Sequence, residues 1–198
     1  MIADTASSSA RRATFFWATA FMIGMFAAGL LLFTDFIRPP WGMAVMLLPM
    51  LLLIPMVRAS ERMQRATGAA SPVAVRYNRR MLAASFAYVI GFLIAVALFD
   101  DQAVSKPVAA MLSLLPTLGA FGMIWAMARY VIEESDEYLR ARMVDAALVA
   151  TGVLLAIGTF WGFLTTFRVA PHVPMWAVVP VWAIGLAIGQ LVNKVRGA

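Results

Sequence analysis

Six stretches of this chain are long, mostly apolar and nearly free of charge, and no other feature limits its fold so tightly. They run from Thr14 to Thr34, Trp41 to Val57, Met81 to Phe99, Pro107 to Val131, Met143 to Phe167 and Pro174 to Val192. The hydrocarbon core of a bilayer is ~30 Å thick and a helix rises ~1.5 Å per residue, so about 20 apolar residues span it. The second stretch is barely long enough and carries Pro49 and Pro55. Inside lipid no water satisfies the backbone, so a crossing segment must close its own hydrogen bonds as a helix. The sequence therefore predicts an all-α integral membrane protein, a bundle of six transmembrane helices. The membrane domain covers residues 14–192, with tails at 1–13 and 193–198. Composition agrees: 63% of residues are hydrophobic and 13% charged, against about 45–50% and 25% in a soluble domain. That surplus cannot fit in one small core, so lipid is the first expected partner.

The first stretch follows Arg11 and Arg12, as in a signal peptide. It is longer than the ~7–15 residues of a signal core, and more apolar stretches follow, so it reads as a retained helix. The basic residues then set the topology. Of the sixteen Lys and Arg, thirteen fall on one side of the six stretches. Only Arg38, Lys106 and Arg168 fall on the other. Such a bias places the richer side in the cytoplasm. With an even number of crossings, both termini are expected there, and the expected location is a bacterial inner membrane. The basic surplus sits at the ends of apolar runs, where topology requires it, so direct nucleic-acid binding is not expected. Cysteine is absent, which excludes disulfides, thiolate metal sites and cysteine nucleophiles.

Unusual polarity concentrates in two joints on the cytoplasmic side. The joint from Arg58 to Arg80 is long and basic. Its first part, Arg58 to Arg65, is expected to continue the second helix until Gly68–Pro72 breaks it. Arg76, Arg79 and Arg80 then lead into the third span, with Arg76 and Arg80 on one face. They can meet anionic lipid headgroups, or dock an acidic partner or the neighbouring joint. That neighbour is Glu133-Glu134-Ser135-Asp136-Glu137. Ser135 is expected to cap the following helix, with Asp136 and Glu137 in its first turn opposite the positive helix end. Glu137 with Arg140, and Arg142 with Asp145, stand three apart and can pair.

Within the spans, ionisable groups are few. Asp145 lies just inside the fifth; it reaches the interface beside Arg142 or lines a cytoplasmic cavity. His172, the only histidine, stands in an external turn between Pro171 and Pro174 and makes a poor metal site alone. Gly185 and Gly189 form a small-residue face on the sixth span, as Gly24, Ala28 and Gly29 do on the first. These suit close packing within the chain or a dimer contact. Trp17, Trp41, Trp161, Trp176 and Trp182 suit interfacial anchors. No phosphate-binding glycine loop, zinc-helix motif or nucleophile elbow is present, so neither an enzyme nor a cofactor is expected.

The stretch Asp136-Glu137-Tyr138-Leu139-Arg140-Ala141-Arg142, running straight into an apolar helix, resembles a pattern in small bacterial multi-pass membrane proteins of unknown function. Some of these are paired with helix-turn-helix regulators that they are thought to restrain. Tyr138 departs from the pattern, in which arginine is more usual. The resemblance implies a cytoplasmic protein partner, such as a transcriptional regulator. The leading expectation is a non-enzymatic membrane regulator or scaffold. It would engage its partner through Glu133, Glu134, Asp136, Glu137 and Arg140, with Arg76, Arg79 and Arg80. Two rivals stay open. One is a small transporter or channel with Asp145 near its inner mouth, formed as a homo-oligomer because six helices enclose little volume. The other is an accessory subunit of a larger membrane complex.

Overall fold

A computed structural model of the chain describes residues 2–33, 45, 47–66, 71–99 and 104–195. Among them the regular structure is entirely helical. The elements are α1 (Ile2–Phe33), α2 (Leu47–Leu51), α3 (Leu53–Ala66), α4 (Pro72–Leu98), α5 (Lys106–Glu133), α6 (Glu137–Thr166), a short 3-10 turn (Met175–Ala177) and α7 (Val178–Val195). Helices α4, α5, α6 and α7 are each long and apolar enough to cross a membrane, which suggests a multi-pass membrane protein.

Three helices, α1, α4 and α6, begin well before the apolar stretches they contain. Helix α1 starts at Ile2 and so takes in Arg11 and Arg12. Helix α4 starts at Pro72, nine residues ahead of Met81. Ser71 caps it, its hydroxyl accepting from the Val73 N–H at 3.1 Å. Pro72 occupies the first helical position, where its missing N–H is no loss. Arg76, Arg79 and Arg80 therefore lie on a helix.

The second stretch does not form one uninterrupted helix. Residues 41–44 and 46 lie outside the described residues. From Leu47 onward the chain breaks at Leu52 into α2 and α3. The Leu52 N–H turns back to the Pro49 carbonyl at 3.0 Å, a tightened turn. Pro55 has no N–H to offer the Leu51 carbonyl, so the helix cannot run through without loss. Helix α3 then continues past Val57 to Ala66, as the basic segment after Val57 led one to expect.

The chain forms two compact units, Met1–Tyr130 and Val131–Ala198. In the first, α1 packs on α2 and α3. Gly24 faces Pro49 so closely that an added Cβ would meet the Pro49 Cβ at 2.9 Å, and Ala28 is buried. Helices α4 and α5 meet through small residues as well. Gly91 rests on the Leu115 and Pro116 backbone, Gly119 on the backbone of Tyr88, and Gly122 on Ala84. The Ser85 hydroxyl reaches the Met123 sulfur at 3.7 Å. At one end of this pair the Tyr77 and Tyr130 rings lie 5.2 Å apart. The second unit is the α6–α7 hairpin, whose seam joins Ala150 to Gly185 and Ala146 to Gly189.

What is buried and what is not runs opposite to a water-soluble protein. The seams hold glycine and alanine. Large apolar side chains point outward, among them Phe26 at 76% exposure, Leu148 at 66%, Phe160 at 66% and Phe121 at 61%. In lipid an outward Phe carries no hydrophobic penalty, and small residues let helix backbones approach. In water so much exposed apolar surface would drive association.

Candidate functional site

The charged joint between α5 and α6 is the most polar structure in the second unit, and each of its carboxylates has a different setting. Glu134 is buried, at 4% exposure. Its Oε1 accepts from the Asp136 N–H at 3.3 Å. Asp136 stands outside the helix in an extended conformation (φ −76°, ψ 111°). Its Oδ1 accepts from the N–H groups of Tyr138 at 2.9 Å and Leu139 at 3.2 Å. Asp136, not Ser135, is therefore the N-cap of α6, and the expected roles shift by one residue. The cap answers two donors that the first helical turn leaves without partners.

Glu137 opens the helix, with its side chain 88% exposed, and pairs with Arg140 at 3.3 Å. The expected pair of Glu137 and Arg140 thus forms. Arg142 behaves otherwise. Its guanidinium lies over the Tyr138 ring, 5.7 Å from the centroid, where a pair with Asp145 was expected. The Arg142 carbonyl accepts from the Asn193 side-chain amide of α7 at 2.9 Å, and Asn193 is itself buried. That bond ties α6 to α7 beside the Ala146–Gly189 contact.

The joint therefore presents an outward set of Asp136, Glu137 and Arg140, with Glu133 half-buried and Glu134 turned in. A negatively charged carboxylate at a helix N-terminus is favoured by the helix dipole. Asp145 is exposed two turns into α6. The basic residues belong to the first unit. Arg76 and Arg79 are exposed on α4, while Arg80 is half-buried with its guanidinium 5.1 Å from the Trp125 ring centroid. Stacked on an aromatic face, that charge is held by a cation–π contact as well as by any ionic partner. Among the described residues no three His, Asp or Glu side chains gather as a metal site would require.

Two features of the structure had no counterpart in the sequence reading. Glu61 on α3 is buried, at 8% exposure, although it stands among arginines. An apolar cavity of about 350 Å³ opens between α6 and the start of α7, lined by residues that include Gly158, Trp161, Gly162, His172 and Val178. A Cβ at Gly158 or Gly162 would meet nothing within 4 Å. The spacing Gly158-x-x-x-Gly162 was readable in the sequence, but alone it points to close packing rather than to an open face. Compared with protein-family models, curated proteins and solved structures, the chain matches none.

Proposed function

We propose that this chain is a six-span bacterial inner-membrane protein with both termini in the cytoplasm, acting without catalysis as a regulator or scaffold for a cytoplasmic protein. The single observation that carries the reading is the outward presentation of Asp136, Glu137 and Arg140 on a capped helix start. Presentation on a capped helix matters because backbone already held in place loses less freedom on binding. The four long apolar helices and the thirteen-to-three division of basic residues support the membrane topology. The exposed Arg76 and Arg79 supply a basic surface of the same kind on α4. A transcriptional regulator is the partner that the resemblance around Asp136–Arg142 favours.

The buried setting of Glu134 narrows the docking surface to its neighbours. The test is a purification in gentle detergent from native membranes, with identification of co-purifying proteins. The comparison variant carries Glu133→Gln, Asp136→Asn and Glu137→Gln. Asn keeps the N-cap, so the joint retains its shape while losing its charge. Loss of a stoichiometric soluble partner supports the proposal. An unchanged set of co-purifying proteins refutes it.

A further inference from the structure

The α6–α7 hairpin is closed at one end and open at the other. At the closed end Gly185 and Gly189 touch the backbone of Ala150 and Ala146. At the open end lies the cavity of about 350 Å³, near the lower limit of small-molecule sites. Its walls are almost wholly apolar. The Phe167–Pro174 loop shapes its rim, where His172, Val173 and Pro174 contribute to the lining and the Trp161 indole N–H donates to the Pro171 carbonyl at 3.2 Å.

That loop carries a cation in a costly position. Arg168 has φ 59°, left-handed for a residue with a Cβ. It stands just after the last helical turn: its N–H bonds the Thr165 carbonyl at 3.0 Å and the Val169 N–H bonds the Leu164 carbonyl at 2.8 Å. Glycine is the usual residue there. Arg168 is exposed, and the sequence has no acidic residue anywhere after Asp145. Arg168 is not itself a lining residue; its N–H bonds the carbonyl of Thr165, which is. An exposed cation thus stands next to an apolar slot for about one hydrocarbon chain, with no acidic residue in its loop or in α7.

We infer that the open end of the α6–α7 hairpin binds an anionic phospholipid, one acyl chain in the cavity and the phosphate at Arg168 and His172. Arginine suits phosphate because its planar fork can donate two parallel hydrogen bonds, and the imidazole supplies a further donor. The binding is independent of the cytoplasmic docking surface, so either can fail alone.

The absence of cysteine permits a local probe. Met175 lines the cavity and is 85% exposed, so Met175→Cys labelled with bimane reports on the occupant. The protein is reconstituted in phosphatidylcholine bilayers containing chain-brominated phosphatidylglycerol or chain-brominated phosphatidylcholine. Phosphatidylglycerol is expected to quench at about five-fold lower mole fraction, the equivalent of ~1 kcal/mol for one basic residue near the surface. Arg168→Gly removes the charge while relieving the backbone, and is expected to merge the two curves. Gly158→Leu grows into open space and is expected to weaken quenching by both lipids. Coincident curves in the parent, or a preference that survives Arg168→Gly, overturn the proposal. Resistance to both lipids, with a Met175→Cys disulfide joining two unlabelled copies, assigns the cavity to a second copy and also overturns it.

Discussion

Replacing Gly185 by alanine tests the α6–α7 seam most directly. The new Cβ would lie 2.6 Å from the Ala150 Cα and 3.0 Å from its carbonyl oxygen. Ordinary carbon contacts sit at about 3.5–4.0 Å, so the helices must part by roughly 1 Å. Overpacking of this size costs about 1–3 kcal/mol. The helix-propensity gain of alanine over glycine, about 1 kcal/mol, offsets part of it in water and less in lipid, where helices persist in the unfolded state. The expected net loss is therefore about 1–2 kcal/mol. Two controls separate clash from propensity. Gly158→Ala gains the same propensity in open space and is expected to be neutral or stabilising. Adding Ala150→Gly to Gly185→Ala is expected not to rescue, because the three nearest atoms at Ala150 are backbone.

Unfolding in mixed detergent micelles, followed by far-UV circular dichroism and tryptophan fluorescence, gives the free energies. A Gly185→Ala protein as stable as the parent, or one restored by Ala150→Gly, would refute the seam. Gly189→Ala is expected to cost a similar amount against Ala146, and the double variant less than the sum. Once the first Cβ has parted the helices, the second meets a wider gap.

Three further outcomes follow from single contacts. Asp136→Ala is expected to cost about 1 kcal/mol through loss of the α6 cap, and Ser135→Ala less than about 0.5 kcal/mol; equal losses in the same unfolding assay would reassign the cap. Asn193→Ala leaves the Arg142 carbonyl without its partner from α7 and should cost about 0.6 kcal/mol and at most ~1.7 kcal/mol, the range for polar contacts between membrane helices; no change in unfolding free energy would show that water replaces it. Gly119→Ala is expected to destabilise more than Gly122→Ala, because the first meets the Tyr88 backbone and the second meets Ala84 no closer than its Cβ at 3.1 Å; the reverse order would mean that α4 and α5 pack in another register.

The apolar stretches were legible because lipid demands a minimum length, and that demand is written in composition alone. Helix ends were less legible for the same reason. Counting apolar residues finds the part of a helix that lies in lipid, not the polar turns that continue it, so Ile2 and Pro72 were missed as starting points, whereas the start of α6, marked by a capping residue, was expected within one residue. The cap position turned on one contact. Serine and aspartate are near-equal caps by propensity, so spacing could not choose between Ser135 and Asp136. The folded chain favours Asp136 because the Glu134 carboxylate returns to the Asp136 N–H and satisfies it. By sequence Glu134 is one of four similar carboxylates; only the fold separates a buried one from the exposed Glu137. The break at Leu52 shows the same limit, since two prolines announced a disturbance without saying which residue would carry it.

One motif in the last hairpin had two fates, and the reason is visible residue by residue. Gly185-x-x-x-Gly189 became a seam, while Gly158-x-x-x-Gly162 faces a cavity. Along α6 the inward positions step by four through Ala146, Ala150 and Leu154. Along α7 they step back through Gly189, Gly185 and Val181. The first two pairs are small on both sides, so the backbones touch. The same antiparallel register sets Leu154 opposite Val181, and both line the cavity. Two branched side chains there cannot share the space that alanine and glycine share, so the helices diverge from that level onward. Gly158 comes one turn after the divergence has begun and finds no partner within reach. A glycine pair makes a seam only when the facing helix is small at the same heights, so the motif has to be read on both helices and in register.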